Sequence, residues 1–264
     1  MSDDVPTNQP TVTLPGGAVL PLLGLGTWQA TGEDAYRAVR VALEAGYRHI
    51  DTAAAYGNEA QVGRALADSG LPREEVFVTT KLRPSDADRA PQAINDSLAK
   101  LGLDYVDLWL IHWPIEGQAS PPTWQHLRDA RDAGLARAIG VSNYSLDQLD
   151  ELADASGEIP SVNQIPWGPT RNDPTLLAGH QARGVVLEGY SPLRNADLDS
   201  PVLKEIAEAH GVTPAQVALR WHIDHGVVVI PKSTREERIR SNGDLFGFAL
   251  SADEQARVDA LAQP

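Results

Sequence analysis

Gly24-Leu25-Gly26-Thr27-Trp28-Gln29 is the stretch on which the fold turns. It closes an apolar run and precedes a helical pattern, where an open dinucleotide-binding sheet would carry G-x-G-x-x-G. Position 29 is glutamine, so the third glycine, which lets the helix pack close to the strand, is absent. No acidic ribose-binding residue follows a second strand in register. A doubly wound sheet is therefore disfavoured, and strands alternating with helices point instead to a closed barrel.

Outward from this stretch lie eight short runs rich in Val, Ile and Leu. They are Leu22 to Thr27, Tyr47 to Thr52, Val76 to Leu82, Tyr105 to His112, Ala138 to Ser142, Ser161 to Ile165, Val185 to Ser191 and Val227 to Pro231. Several lack polar alternation, as parallel strands covered on both faces do. Helical spacing fills the gaps. Ala35, Val39, Ala42 and Leu43 share a face before Gly46; Asn58 to Ser69 ends at Gly70; Ile94, Leu98 and Leu101 precede Gly102. Ser145-Leu-Asp-Gln148 reads as a capping box, and Asp173-Pro174 and Thr213-Pro214 each set an N-cap type before a first-turn proline. The segment 11–20, a β-run on each side of Pro15-Gly16-Gly17, predicts a hairpin covering the bottom of the barrel. The expectation is an α/β chain folded as one (β/α)8 TIM-barrel domain over 1–264: hairpin 11–20, strands within 22–231, and 232–264 as a ligand-binding segment and short tail.

With 264 residues, 42% hydrophobic and 22% charged, the chain is long enough for one such barrel and has a globular composition. It has no cysteine, which excludes disulfides and thiolate metal sites. The opening MSDDVPTNQP has neither a basic n-region nor an apolar h-region, and no apolar stretch approaches a membrane span, so a cytoplasmic location is expected. A net charge of −14 disfavours nucleic acid as a partner. An anionic ligand would need a local basic cluster, and one stands late in the chain: Lys232-Ser-Thr-Arg235-Glu-Glu-Arg238-Ile-Arg240.

Barrel active sites are built at the C-terminal ends of the strands. Here the eight ends carry Trp28, Asp51, Lys81, His112, Ser142 with Asn143, Gln164, Tyr190, and Lys232 with Ser233. Singly, each has a structural explanation, as a cap, a packed histidine or a lysine reaching for solvent. Together they converge on one rim. Tyr56 lies five residues beyond Asp51, in a loop short enough to bring its hydroxyl to the barrel axis. A phenol is a poor acid near neutrality, and an ammonium such as Lys81 lowers its pKa. With Asp51 holding the lysine and His112 orienting a carbonyl oxygen, the set suits general acid catalysis on a carbonyl that receives hydride.

At these residues the sequence resembles the aldo-keto reductase family over nearly its whole length. The resemblance is carried by Gly24-Leu-Gly26-Thr-Trp28, Gly46-Tyr-Arg-His-Ile-Asp51-Thr with Tyr56-Gly-Asn-Glu59, Thr80-Lys81-Leu82 and Leu101-Gly-Leu-Asp104-Tyr-Val-Asp107. It continues through Ile111-His112-Trp113-Pro114, Gly140-Val-Ser142-Asn143, Asn163-Gln164, Tyr190-Ser-Pro192-Leu and Ile230-Pro231-Lys232-Ser233. It implies a catalytic tetrad of Asp51, Tyr56, Lys81 and His112, and NADPH or NADP+ extended across the barrel mouth. Ser142, Asn143 and Gln164 would hold the carboxamide and Tyr190 would stack on the nicotinamide. Lys232, Ser233 and Arg238 would grip the 2′-phosphate, with Gly26, Thr27, Ser191, Leu193, Thr234 and Asn242 completing the cofactor contacts. Arginine's bidentate match to phosphate supports NADPH over NADH.

The sequence also departs from the family pattern. Ser241 stands where relatives commonly have a glutamate that contacts adenine. After Gln164 the chain reads Ile165-Pro166-Trp167-Gly168-Pro169 in place of a Glu and a His-Pro, and it stops short of the C-terminal tail that usually covers the substrate. The expectation is a shallow, open pocket walled by Trp28, Trp113 and Trp167, suited to aldehydes, α-ketoacids or dicarbonyls, in a monomer without a metal. His49, His126, His180, His210, His222 and His225 are expected to be structural or at the surface. Two other functions use the same residues: a Schiff-base lyase with Lys81 as nucleophile, and a barrel that binds NADPH only as a sensor.

Overall fold

The computed structural model describes residues 9–262. The predicted hairpin is present: β1 (Thr11–Thr13) pairs antiparallel with β2 (Val19–Pro21), through a turn whose Gly16 and Gly17 both have a φ of +90°. Gly17, Val19 and Pro21 share a recess with Arg48, Phe77, Asp107 and Arg137, which stand at the starts of four barrel strands. The hairpin thus lies across the bottom, as expected, and Leu14 and Leu20 are buried in the core.

Eight parallel strands follow: β3 (Leu25–Gly26), β4 (His49–Asp51), β5 (Phe77–Leu82), β6 (Val106–Ile111), β7 (Ala136–Ser142), β8 (Val162–Pro166), β9 (Val186–Tyr190) and β10 (Val228–Val229). Each pairs with the next in chain order. The ends meet where Val229 donates to the Leu22 carbonyl at 2.8 Å and Gly24 to that of Val229 at 2.9 Å, closing the sheet. Every residue of β5 and β6 is buried, which explains why those runs lack polar alternation. The two strands at the seam are shorter than the runs 22–27 and 227–231. Pro231 has no N–H to continue the ladder, and Gly26 reaches its carbonyl at 3.1 Å instead. A Cβ at Gly26 would come within 2.8 Å of the Ile230 carbonyl oxygen, so the closure requires glycine there.

Helices α1 (Gly32–Glu44), α2 (Glu59–Ser69), α3 (Ala90–Leu101), α4 (Pro121–Asp132), α5 (Leu146–Ser156), α6 (Pro174–Ala182), α7 (Pro201–His210) and α8 (Pro214–Asp224) cover the outside. The stop and start signals act where the sequence set them. Gly70 and Gly102 end α2 and α3 in left-handed conformations. Ser145 and Gln148 exchange backbone and side-chain hydrogen bonds as a capping box, as do Thr213 and Gln216. Asp173 accepts from the amides of Thr175 and Leu176. Beyond β10, α9 (Glu236–Gly243) rests on α1, with the Tyr47 hydroxyl bonded to the Ile239 carbonyl at 3.0 Å, and α10 (Ala252–Asp259) packs on α7 and α8. Among the described residues, no helix is long and apolar enough to cross a membrane.

Candidate active site

The C-terminal ends of the strands ring a cavity of about 480 Å³. Alternation along β4 and β5 turns Asp51 and Lys81 inward, and both are buried. The Lys81 ammonium donates to the two Asp51 oxygens at 2.7 Å each and to the Thr52 carbonyl at 2.9 Å, and it lies 3.4 Å from the Tyr56 hydroxyl. Gln164 donates to Asp51 at 2.8 Å. Burial works against the Lys81 charge, but Asp51, joined by Tyr56 and Glu188 when these are ionised, outweighs it and holds its pKa above the ordinary lysine value. The lysine is therefore a fixed cation and no free amine.

Tyr56 sits on a 3₁₀ turn (Ala54–Tyr56) between β4 and α2. Asn58 pins that turn: its amide donates to the Thr27 and Ala30 carbonyls at 2.9 Å, and its oxygen accepts from Thr52 at 2.8 Å. Arg83, at the end of β5, donates to the Ala54 carbonyl. His112 meets the Tyr56 ring edge-on, with ring centroids 5.6 Å apart. Burial, then the charges of Lys81 and Arg83, lower the His112 pKa to about 3, so the ring is neutral. The Tyr56 pKa departs from expectation. Burial raises it, and although Lys81 pulls it down, burial prevails. The phenol is accordingly protonated in this state.

The opposite wall is a chain of hydrogen bonds. Tyr190 donates to the Asn143 amide oxygen at 2.8 Å, Asn143 donates to the Ser142 hydroxyl at 2.9 Å and to the His112 carbonyl at 3.1 Å, and Ser142 donates to the Gln164 carbonyl at 2.8 Å. Asn143 and Ser191 both adopt positive φ, 66° and 54°, which turns the chain sharply at the rim. Gly26, Tyr190, Ser191 and Lys232 also line the cavity, whereas Thr27 stands behind the wall with its hydroxyl on the Asp51 carbonyl at 2.9 Å. Leu193 packs against the core. Ser233, Thr234, Arg238 and Asn242 lie outside the cavity lining, on the segment that leads into α9. There Arg240 is engaged by Glu236 and Glu44, and Arg235 by Glu237. Lys232 and Arg238 are exposed and, among the described residues, have no carboxylate partner.

Two of the three tryptophans expected at the pocket are there: Trp28 and Trp113 line it and are 43% and 50% exposed. The Arg194 guanidinium lies over the Trp28 ring, 5.4 Å from its centroid. Trp167 does not belong to the pocket. It is 2% exposed and packs with Ile165, Leu187 and Trp221 in an apolar cluster on the helix-facing side of the sheet. Gln164 points into the barrel, so period-two alternation sends Ile165 and Trp167 outward. Asn58 and Arg83 are positioning residues that the sequence reading missed. Asn58 lies in the segment Tyr56-Gly-Asn-Glu59, while nothing local marks Arg83.

The aldo/keto reductase family model matches residues 22–263. An aldo-keto reductase of Mycolicibacterium smegmatis is 47% identical over 96% of this chain and 93% of its own length. A methylglyoxal reductase of Escherichia coli is 42% identical over 97% and 94%. The crystal structure of a Bombyx mori aldo-keto reductase in complex with NADP superposes with a TM-score of 0.90 at 38% identity, covering 96% of this chain and 93% of that one. With the barrel, the rim residues and relatives this similar over nearly all their length, the chain belongs to the aldo/keto reductase family of oxidoreductases.

Proposed function

We propose that this protein is an NADPH-dependent carbonyl reductase in which Tyr56 protonates the substrate oxygen. One observation carries the reading. A buried ammonium, clamped by both oxygens of Asp51, stands 3.4 Å behind the Tyr56 hydroxyl, which shares the cavity with a neutral histidine. The structure fits the cofactor on its own terms. In a chain of net charge −14, Lys232 and Arg238 remain without carboxylate partners on the segment beside the mouth, as a phosphate site requires. Tyr190 is held at the wall by Asn143, leaving its ring to face a planar group. Ser142, Asn143 and Gln164 would orient the carboxamide. When bound, the cofactor supplies the hydride.

The rest falls to the protein. Burial keeps the Tyr56 proton in place until a carbonyl oxygen needs it. As negative charge builds on that oxygen, Tyr56 gives up its proton, and Lys81 stabilises the phenolate left behind. Neutral His112 donates one N–H to the same oxygen and fixes its direction without adding a charge that would compete with Lys81. Asp51 prevents Lys81 from releasing its own proton, which also argues against a Schiff-base role.

The cavity is of a size that takes a small ligand. Its open aromatic lip of Trp28 and Trp113 suits aldehydes, α-ketoacids and dicarbonyls, and the similarity to a methylglyoxal reductase supports the dicarbonyl class. The test is NADPH oxidation with a panel of these carbonyls. Turnover of several small members supports the reading, while tight NADPH binding without any turnover would favour the sensor.

A further inference from the structure

Beneath the tetrad lies a second polar tier that this reaction does not use. Residues two apart on a strand share a face. Two places below Asp51, Lys81 and Tyr190 stand His49, Thr79 and Glu188, all fully buried. Barrel interiors at this depth are ordinarily filled by branched aliphatic side chains, so a carboxyl group there is a departure.

Among the described residues, neither Glu188 oxygen has a partner at full hydrogen-bond geometry. From β4, His49 Nε2 lies 3.8 Å from one of them, and the same nitrogen is 3.2 Å from the Thr79 hydroxyl on β5. Lys81 and Asp51 stand above on those two strands. On β8 the registered neighbour is Gln164, whose amide donates to Asp51 at 2.8 Å and also draws the Glu188 pKa down, and on β10 it is the apolar Val228. On the far side of His49, Gly24 is so close that a Cβ would come within 2.5 Å of Nδ1. The group is enclosed.

A buried carboxylate without a well-formed hydrogen bond is unfavourable enough that it takes up a proton. His49 cannot supply the balancing charge, because burial and then Lys81 hold its pKa near 3. The proton therefore stays on the carboxyl. Burial, and then Asp51, push Glu188 up to about 8 against the opposing pull of Lys81 and Gln164.

We propose that Glu188 is a positioning residue for the Tyr56 proton: it holds a proton beneath the Asp51–Lys81 pair, and losing that proton weakens Tyr56 as an acid. The inference rests on Tyr56 being the proton donor. With Glu188 neutral, Asp51 is the main charge that opposes the field of Lys81 at the phenol. When Glu188 releases its proton to solvent, no other bond changes, and a second negative charge appears behind the pair. That charge offsets more of the ammonium's field, disfavours the phenolate and slows proton transfer to the substrate.

The test compares wild type with Glu188→Gln, which keeps the shape and cannot ionise. Infrared difference spectra of the wild-type protein, titrated from about pH 6 to about pH 10, should lose the carbonyl band of a protonated carboxylic acid that Glu188→Gln lacks. With a carbonyl substrate, kcat of the wild type should fall across the same range. In Glu188→Gln the fall should move up by about one pH unit or more, at unchanged NADPH affinity. A wild-type spectrum with no such band, or superimposable pH profiles, would overturn the proposal. If Glu188→Gln does not fold, Glu188→Asp keeps the carboxyl and should shift the frequency of the band; an unshifted band would belong to another residue. An absence of any carbonyl turnover would count against the reductase reading, while the infrared titration would still decide whether Glu188 holds a proton.

Discussion

Lys81 and Asp51 are buried together, and each neutralises the other. Removing one partner of such a pair strands the other charge, which typically costs about 3–5 kcal/mol. We therefore expect Lys81→Met to lose about 3 kcal/mol or more in urea unfolding along with its turnover, whereas Tyr56→Phe stays within about 1 kcal/mol of wild type. An unchanged midpoint in Lys81→Met would mean that Asp51 finds another partner or a proton. That Asp51, Tyr56, Lys81 and His112 would come together could be read from sequence because each strand end announces one side chain and the barrel brings the ends together. The direction of the Tyr56 shift could not, since it depends on how deeply a loop residue sits, and burial outweighs the ammonium that sequence alone could name. Trp167 was misplaced for a simpler reason. Aromatic character near the rim suggests the pocket, but the alternation from Gln164 sends the ring outward.

At the scale of elements, strand order, hairpin and caps follow from local signals: apolar runs of four to eight residues, glycines after helices, and Ser, Thr or Asp before them. Contacts between elements leave no such mark. Gly63 reads as an ordinary weak point inside α2, yet a Cβ there would come within 2.1 Å of the Leu101 carbonyl oxygen, backbone that cannot step aside cheaply. Alanine usually favours a helix over glycine by about 1 kcal/mol. Here overpacking should outweigh that gain, and we expect Gly63→Ala to destabilise by about 1–3 kcal/mol in a thermal melt. A rise in Tm would show that α2 and α3 separate more readily than their packing implies. The seam strands make the same point, because what shortens β3 and β10 is Pro231 meeting Gly26 across 205 positions of chain that close only in three dimensions.

Over the whole molecule, buried histidines and a buried carboxyl set opposite pH dependences. Burial lowers His49 to about 3 and His222 to about 4. The unfolded chain binds their protons below about 6.5, so the stability they contribute is present above that pH and is lost on acidification. The unfolding free energy from denaturant titration should fall as pH drops from about 6.5 toward 4, by the order of 1 kcal/mol per group per pH unit. Glu188 has the opposite sign. Its pKa is raised, so its contribution is full below about 4.5 and is lost as pH rises through about 8. Glu188→Gln should accordingly gain stability relative to wild type with rising pH, and a constant difference would mean that Glu188 is ionised throughout. The proposed phosphate contacts also depend on the whole chain: in a protein of net charge −14, Lys232 and Arg238 are exposed cations without a carboxylate partner among the described residues. Arg238→Ala should weaken NADPH binding about tenfold or more in fluorescence titration and leave NADH nearly unchanged; equal losses for both would place Arg238 away from the 2′-phosphate.

The most direct single measurement is steady-state reduction of methylglyoxal by NADPH in wild type and Tyr56→Phe, with NADPH affinity titrated in both. Proton donation by Tyr56 requires kcat to fall about a hundredfold or more in the variant while cofactor affinity stays within about twofold. Comparable turnover in the two proteins would contradict it and assign the proton to another group.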